Sequence, residues 1–168
     1  MEQKEYEKAE EYMERMYGIN HGMELFVYTE IEILDLVLSN KISLARSQGV
    51  NVNIMAEPIL LQLTEQEITA LMSNIFDNAI EACKEVAEGK KWIQIIIRQI
   101  GNISFIKVSN SYFKEPCIEN NVFASRKKDQ GVHGIGLTSV KSIIEKYNGV
   151  IDIKYGDKKF TITISFFN

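Results

Sequence analysis

Cysteine, proline and histidine occur only twice each in this 168-residue chain, and tryptophan once. Two isolated cysteines, Cys83 and Cys117, cannot build a disulfide framework and match no zinc-ligand spacing. They point to buried thiols in a reducing compartment. No run approaches the roughly 18 apolar residues of a membrane-spanning helix, and no signal-peptide pattern is visible. A positive excess is missing too: the net charge is −4, which gives no reason to expect nucleic acid as a partner. Internal repeats and low-complexity tracts are absent. What remains is one domain of ordinary hydrophobic content, 45%, able to bury a core. The expected location is the cytosol, or the cytosolic part of something larger.

The chain divides at residues 18–22, between Gly18 and Gly22. Residues 1–22 are expected to be the end of a longer helix and its linker, and residues 23–168 the main domain. Within 2–17, Tyr6, Ala9, Met13 and Met16 recur at spacings of three and four in an otherwise charged stretch. That is a short heptad seam, typical of a bundle or dimer helix. Two heptads do not associate stably alone.

A helix is expected over about 28–47, with Ile31, Leu34, Leu38, Ile42 and Ala45 on one face and Gly49 past its end. Residues 50–56 alternate as a strand, closed off by Pro58. Thr64 and Glu67 have the spacing of a capping box. They open a helix whose wide apolar face runs from Ile68 to Val86. Strands follow over 90–100 and 103–109, joined at Gly101-Asn102. Residues 111–133 have no strong period, contain Pro116 and carry the basic run Arg126-Lys127-Lys128. A loop of that length in a compact domain usually serves a purpose such as a lid. A helix starts at Gly134 and stops at Asn148-Gly149. Two alternating strands end the chain, turning at Gly156-Asp157. The expected architecture is a two-layer α/β sandwich: a mixed, mostly antiparallel sheet with helices on one face, plus the short N-terminal helix.

Two features carry chemistry. Asn74 and Asn78 sit one turn apart, beside the apolar face of the third helix. Asparagine is a poor helix former, so two of them cost stability unless they bind something. Magnesium that arrives with a nucleotide takes oxygen ligands, one or two from protein, and an amide oxygen serves. The second feature is the glycine-rich turn GVHGIGL (131–137) at a helix N-terminus. Free backbone N–H groups and the helix dipole can meet phosphates there. The turn is neither a Walker loop nor a dinucleotide fingerprint. Each feature alone is weak: solvent-facing asparagines and a simple helix start are the plainer readings.

In this order and topology the two features resemble the ATP-binding domain of the GHKL superfamily, which includes gyrase, MutL and the sensor histidine kinases. NIFDNAIEA (74–82) looks like the kinase N box, GVHGIGL like the glycine box, and VFASRK (122–127) like the lid motif. The resemblance spans about residues 35–166 and implies the Bergerat-type ATP-binding fold. ILDLVLSNKISLARSQGV (33–50), NAIEAC and HGIGL look most like the peptide-pheromone sensor kinases of the AgrC and VirS type. The resemblance implies ATP and Mg2+ as cofactors, with Asn78, and Asn74 beside it, at the metal. It also implies phosphate or nucleotide contacts from Gly131, His133, Gly134, Gly136, Leu137 and the lid's Ser125. Asn74 and Lys127 take the catalytic positions. Asn74 stands where gyrase-like ATPases have a water-activating glutamate. An amide takes up no proton at neutral pH, so the γ-phosphate is kept for another nucleophile. Lys127 would offset charge on the transferring group. The implied partners are dimerisation helices of the same or the partner subunit and a response regulator. No direct membrane contact is implied for these residues, although the parent would be a membrane-anchored homodimer.

Two departures stand out. Most family members carry an aspartate in a DxGxG box that accepts a hydrogen bond from adenine. Here the stretch is VSNSYF (108–113), with Asn110 at that position and no glycines after it. An amide oxygen accepts more weakly than a carboxylate. Secondly, neither His21 nor His133 is followed by an acidic residue, so the phosphoacceptor histidine is expected before residue 1. A serine kinase of the same fold, or a non-catalytic interaction module, are the rival expectations.

Overall fold

The structure is a computed structural model that describes residues 28–119, 122–124 and 135–168. The first helix, α1, covers Glu32–Ser47, and strand β1 follows at Asn51–Ala56. Helix α2 spans Glu65–Lys84, then come β2 (Trp92–Ile100) and β3 (Ile103–Ser111). A small hairpin follows, β4 (Cys117–Glu119) with β5 (Val122–Ala124). Helix α3 (Ile135–Lys146) and strands β6 (Val150–Gly156) and β7 (Lys159–Phe167) complete the order. The N-terminal helix expected over 2–17 lies outside the described residues.

Five strands form one sheet in the order β1-β2-β3-β7-β6. Only β1 and β2 run parallel. A parallel pair needs a crossover, and α2 supplies it. Register puts Val52, Ile93, Asn110 and Phe160 in one row across the sheet, and Ile95, Val108, Ile162 and Ile153 in the next. This face packs with Leu34, Leu38 and Ile42 of α1, Leu71, Ile75 and Phe76 of α2, and Val140 and Ile144 of α3 in one core. The expected two-layer sandwich is therefore the observed one.

Several boundaries differ from expectation for local reasons. Helix α1 starts at Glu32 rather than near 28, because Glu30 adopts φ 63° and the Thr29 N–H and hydroxyl are held by the Asp35 carboxylate. The second strand starts at Trp92 rather than Lys90, and the third continues to Ser111. The long segment after 111 contains the β4–β5 hairpin, too short at three residues per strand to show a period. The last turn is one residue later than expected. Asp157 (φ 49°) and Lys158 (φ 60°) are its left-handed pair, and Gly156 pairs with Lys159 within the ladder. Lys158 accepts this conformation because its carbonyl takes the Tyr112 N–H (3.2 Å) and its ammonium donates to the Phe113 carbonyl (2.8 Å).

The capping box at Thr64 and Glu67 forms as expected. At the end of α3 the roles of two residues are exchanged. Asn148 takes the left-handed position (φ 52°), donating to the Glu145 carbonyl, while Gly149 donates to the Ile144 carbonyl at 2.8 Å. Together these form a Schellman stop. Gly149 is needed for a different reason: a Cβ there would lie 2.9 Å from the Ser165 carbonyl oxygen and 3.0 Å from Ile144 Cγ2. Backbone of a central strand cannot yield. Gly149→Ala is therefore expected to destabilise the domain by about 1–3 kcal/mol, the cost of an overpacked site. Urea unfolding measures it, and an unchanged midpoint would show that β7 does not press on this residue.

Candidate nucleotide site

At 100° per residue, Glu67, Asn74, Asn78 and Glu85 fall within about 40° of one line along α2. This flank adjoins the core face and is the one that meets α3, because Glu67 reaches that helix's last turn. Its carboxylate accepts from the Lys146 ammonium at 2.6 Å and from the Tyr147 hydroxyl at 2.6 Å, while still capping Thr64 N–H at 2.9 Å. The Lys146 ammonium, then the Tyr147 hydroxyl and the Thr64 backbone, hold the Glu67 carboxyl down at about 2. Lys146 and Tyr147 are pushed up by the same carboxylate. Sequence reasoning assigns Glu67 only to its cap. No local signal links residues so far apart in the chain.

Every carboxylate on α2 from Glu67 to Glu85 has a lysine partner. Asp77 meets Lys41 at 2.5 Å, Glu81 meets Lys84 at 2.5 Å, and Glu85 meets Lys114 at 2.8 Å. Asn74 is half-buried and Asn78 exposed. Neither side chain has a hydrogen-bond partner among the described residues. The helix therefore offers two neutral amide oxygens with no competing use. No group of three or more His, Cys, Asp or Glu able to hold a metal occurs among the described residues. A cation that arrives already coordinated by phosphates fits this donor set, whereas a resident, protein-held ion does not.

Near the other end of α2, buried Cys83 points its thiol at the Trp92 carbonyl and at the Ser111 carbonyl and hydroxyl, 3.5–3.6 Å away. Burial pushes this thiol up from its ordinary range, which suits packing rather than reactivity. The contact pins α2 to the start of β2 and the end of β3, beside Asn110. Asn110 is buried on the core-facing side of the sheet, in the row between Ile93 and Phe160. Its amide nitrogen donates to the Ser111 carbonyl at 2.9 Å. Its oxygen accepts from no described residue, yet it is not a sealed, unsatisfied atom. The donor half of the amide is thus fixed and the acceptor half left available. An aspartate here would set a carboxylate oxygen against the Ser111 carbonyl.

Gly136 lies in the first turn of α3, and Leu137 is half-buried against the core. Ser125, Lys127, Gly131, His133 and Gly134 lie outside the described residues. A separate open cavity of about 450 Å³ lies on the opposite flank of α2, between Ile33, Gln66, Thr69 and Ser73, and touches the asparagine pair only through Asn74.

A GHKL domain profile matches residues 63–167, more than half of the chain. The chain belongs to the GHKL domain family. Among curated proteins it is 28% identical to the sensor histidine kinase DpiB of Escherichia coli over 130 residues, which is 72% of this chain and 24% of that protein. It is 29% identical to the sensor histidine kinase CitA of Klebsiella pneumoniae over 98 residues, 55% of this chain and 17% of that one. The chain thus spans a quarter or less of the length of these relatives. The GHKL fold here superposes on the catalytic domain of histidine kinase ThkA in a nucleotide-free form, with TM-score 0.64, 19% identity and coverage of 86% and 96%. The mycobacterial sensor histidine kinase MprB gives TM-score 0.61 at 17% identity, covering 80% and 93%.

The Glu67 junction has a pH signature. The folded carboxyl ionises near 2, below the unfolded value of 4.5. The unfolded state therefore binds the extra proton first. The stabilisation is complete above 4.5 and is lost as pH falls from 4.5 towards 2. Unfolding free energy measured across that window is expected to fall in the wild type and to be flatter in Glu67→Gln. Parallel profiles for the two would remove Glu67 from the junction.

Proposed function

We propose that this chain is the ATP-binding catalytic domain of a sensor histidine kinase, and that it presents the γ-phosphoryl of Mg-ATP to a histidine on a dimerisation helix. The observation that carries this reading is the unpartnered amide pair, Asn74 and Asn78, on a helix whose nearby carboxylates are all neutralised by lysine. Family membership supports it, as do two relatives named as sensor histidine kinases.

Bound Mg-ATP would supply an electrophilic phosphorus with part of its charge offset by the metal. The protein's own share is positioning. The Asn78 amide oxygen would be the protein ligand to the magnesium, with Asn74 beside it. Asn74 carries no basic atom, so no water is activated there. Asn110 would accept from the adenine amino group with its free oxygen. The backbone at Gly131, Gly134 and Gly136, with His133 and Leu137 close by, would line the phosphate side. Ser125 and Lys127 would close over it, the lysine offsetting charge on the group in transfer. Cys83 lies five residues beyond Asn78, about 8 Å along the helix, and touches Ser111 next to Asn110. The base end and the metal end of the site are thereby tied through one rigid element.

The wider setting is part of the same proposal. Segment 33–50, NAIEAC and HGIGL support a peptide-pheromone type of sensor, acting in quorum sensing through a response regulator. Its parent would be a membrane-anchored homodimer with this domain in the cytosol, residues 1–22 ending the dimerisation helix.

Phosphorylation of a supplied dimerisation helix by the full chain, followed with radiolabelled Mg-ATP, is the direct test. Asn78→Ala is expected to slow it by about a hundredfold or more, as loss of a group that holds the reacting charge does; a wild-type rate in Asn78→Ala and Asn78→Asp alike would rule out the magnesium assignment. Calorimetric titration of Asn110→Ala should show adenine-nucleotide affinity lower by about fivefold, the worth of one hydrogen bond, with guanine-nucleotide affinity unaltered. Phosphate appearing on serine of a supplied protein substrate, and none on histidine, would favour a serine kinase of this fold. No heat with Mg-ATP at all would favour a non-catalytic module.

A further inference from the structure

The ladder between β2 and β3 stops one pair short of where its geometry would carry it. Its last matched pair is Ile93 with Asn110, so Trp92 stands opposite Ser111 at the next step. Successive residues of a paired strand turn their backbone groups to opposite neighbours. The Tyr112 N–H bonds to the Lys158 carbonyl beside β7, so the Ser111 carbonyl turns the other way, towards Trp92. A continued ladder would place the Trp92 N–H on it. The Trp92 N–H donates instead to the Ser111 hydroxyl oxygen at 3.0 Å. The carbonyl thus released takes the Asn110 amide nitrogen at 2.9 Å, and the Cys83 thiol faces it at 3.5 Å. Cys83, Asn110 and Ser111 are all buried, so water does not compete for these bonds.

A carbonyl oxygen only accepts, so the end of the Asn110 amide that faces it must be the nitrogen. Turned over, the amide would set two buried acceptors against each other. We propose, resting on the reading of this cleft as a nucleotide site, that Ser111 is the positioning residue that sets its base selectivity. The Ser111 hydroxyl replaces the Ser111 carbonyl in the ladder, and the freed carbonyl locks Asn110 with its amide oxygen left for the base. A purine with a 6-amino group meets an acceptor there. One with a 6-oxo group meets no donor, because the amide cannot turn to offer its nitrogen. An unlocked asparagine would serve both. The same lock explains why asparagine stands at 110: a carboxylate has no proton to give the Ser111 carbonyl and would face it as a charged acceptor. The aspartate that the family resemblance expects should therefore weaken nucleotide binding in this chain instead of strengthening it.

Calorimetric titration of the full 168-residue chain with Mg-ATP and with Mg-ITP, whose bases differ only at the 6-position and its neighbouring N1 proton, tests this. The wild type should bind Mg-ATP at least about fivefold more tightly than Mg-ITP, the worth of one hydrogen bond. Ser111→Ala leaves the Trp92 N–H to compete for the carbonyl, so Mg-ATP should bind more weakly, Mg-ITP more tightly, and the preference should disappear. Ser111→Thr keeps a hydroxyl and should keep the preference. Asn110→Asp should bind Mg-ATP at least about fivefold more weakly than the wild type. A purely structural loss would weaken both nucleotides together and leave their ratio as it was. An unchanged ratio in Ser111→Ala, or Mg-ATP bound by Asn110→Asp as tightly as by the wild type, overturns the proposal and leaves the nucleotide reading standing. Absence of heat with either nucleotide in the wild type removes that reading and the proposal with it. Should Ser111→Ala fail to fold, NMR of the ligand-free wild type decides. Its Asn110 side-chain amide protons should exchange at least about tenfold more slowly than those of an exposed asparagine, and equal rates overturn the lock.

Discussion

The structure depends most on one carboxylate in the first turn of α2. Glu67 spends its two oxygens on four donors: the Thr64 N–H and hydroxyl of its own cap, the Lys146 ammonium and the Tyr147 hydroxyl. One group thus starts one helix and holds the end of another. Capping acids are common, but most face water. This one is only 16% exposed, and it sits on the same helical line as both candidate asparagines. From Glu67 to Asn78 is eleven residues, and from Lys146 back to Ile135 is eleven residues. At 1.5 Å per residue each arm is about 16 Å. Helix α3 meets α2 with its last turn at the first turn of α2. The ion pair therefore fixes how these two helices meet at one end.

Rigidity at that end complements freedom at the other. The lysines along α2 neutralise its carboxylates without touching Asn74 or Asn78, which keeps the flank free of negative charge that would repel a triphosphate. At the sheet, under the proposed reading, the Asn110 amide oxygen would take the place of the usual carboxylate. Its nitrogen donates to the Ser111 carbonyl, which the Cys83 thiol also faces. The neighbouring peptide thus accommodates the amide that stands where the family resemblance expects an aspartate.

Much of the architecture was legible because hydrophobic period and turn chemistry agreed. The Thr64–Glu67 box, the stripe from Ile68 to Cys83, the Gly101-Asn102 turn and the alternation of the last strands all appear in the structure. Failures occurred where backbone conformation was chosen by a tertiary contact. Lys158 is left-handed because Tyr112 and Phe113 bind it. The stop at Asn148-Gly149 was legible, but the reason position 149 must be glycine, the Ser165 carbonyl, lies on a distant strand. The β4–β5 hairpin is shorter than any period that could announce it. Of the candidate site, the asparagine pair could be singled out from residue type and spacing, and Asn110 only from the position it takes in the family resemblance. Their significance could not, since it rests on which neighbours are already neutralised, and those neighbours come from α1, from the segment after β3 and from the end of α3.

The position of Asn74 joins these threads. A glutamate there would be the one carboxylate on this flank without a lysine among the described residues, since Lys41, Lys84, Lys114 and Lys146 are already engaged. It would stay charged, repel the phosphates in the ground state, and accept a proton from any water lined up behind the γ-phosphorus. The amide removes both effects at once. Under the proposed reading the cleft then has everything needed to hold a nucleotide and nothing with which to hydrolyse it. Phosphoryl transfer must wait for a nucleophile brought from outside the domain, and the control of the reaction passes from the chemistry of the cleft to the geometry of the helix that carries the acceptor.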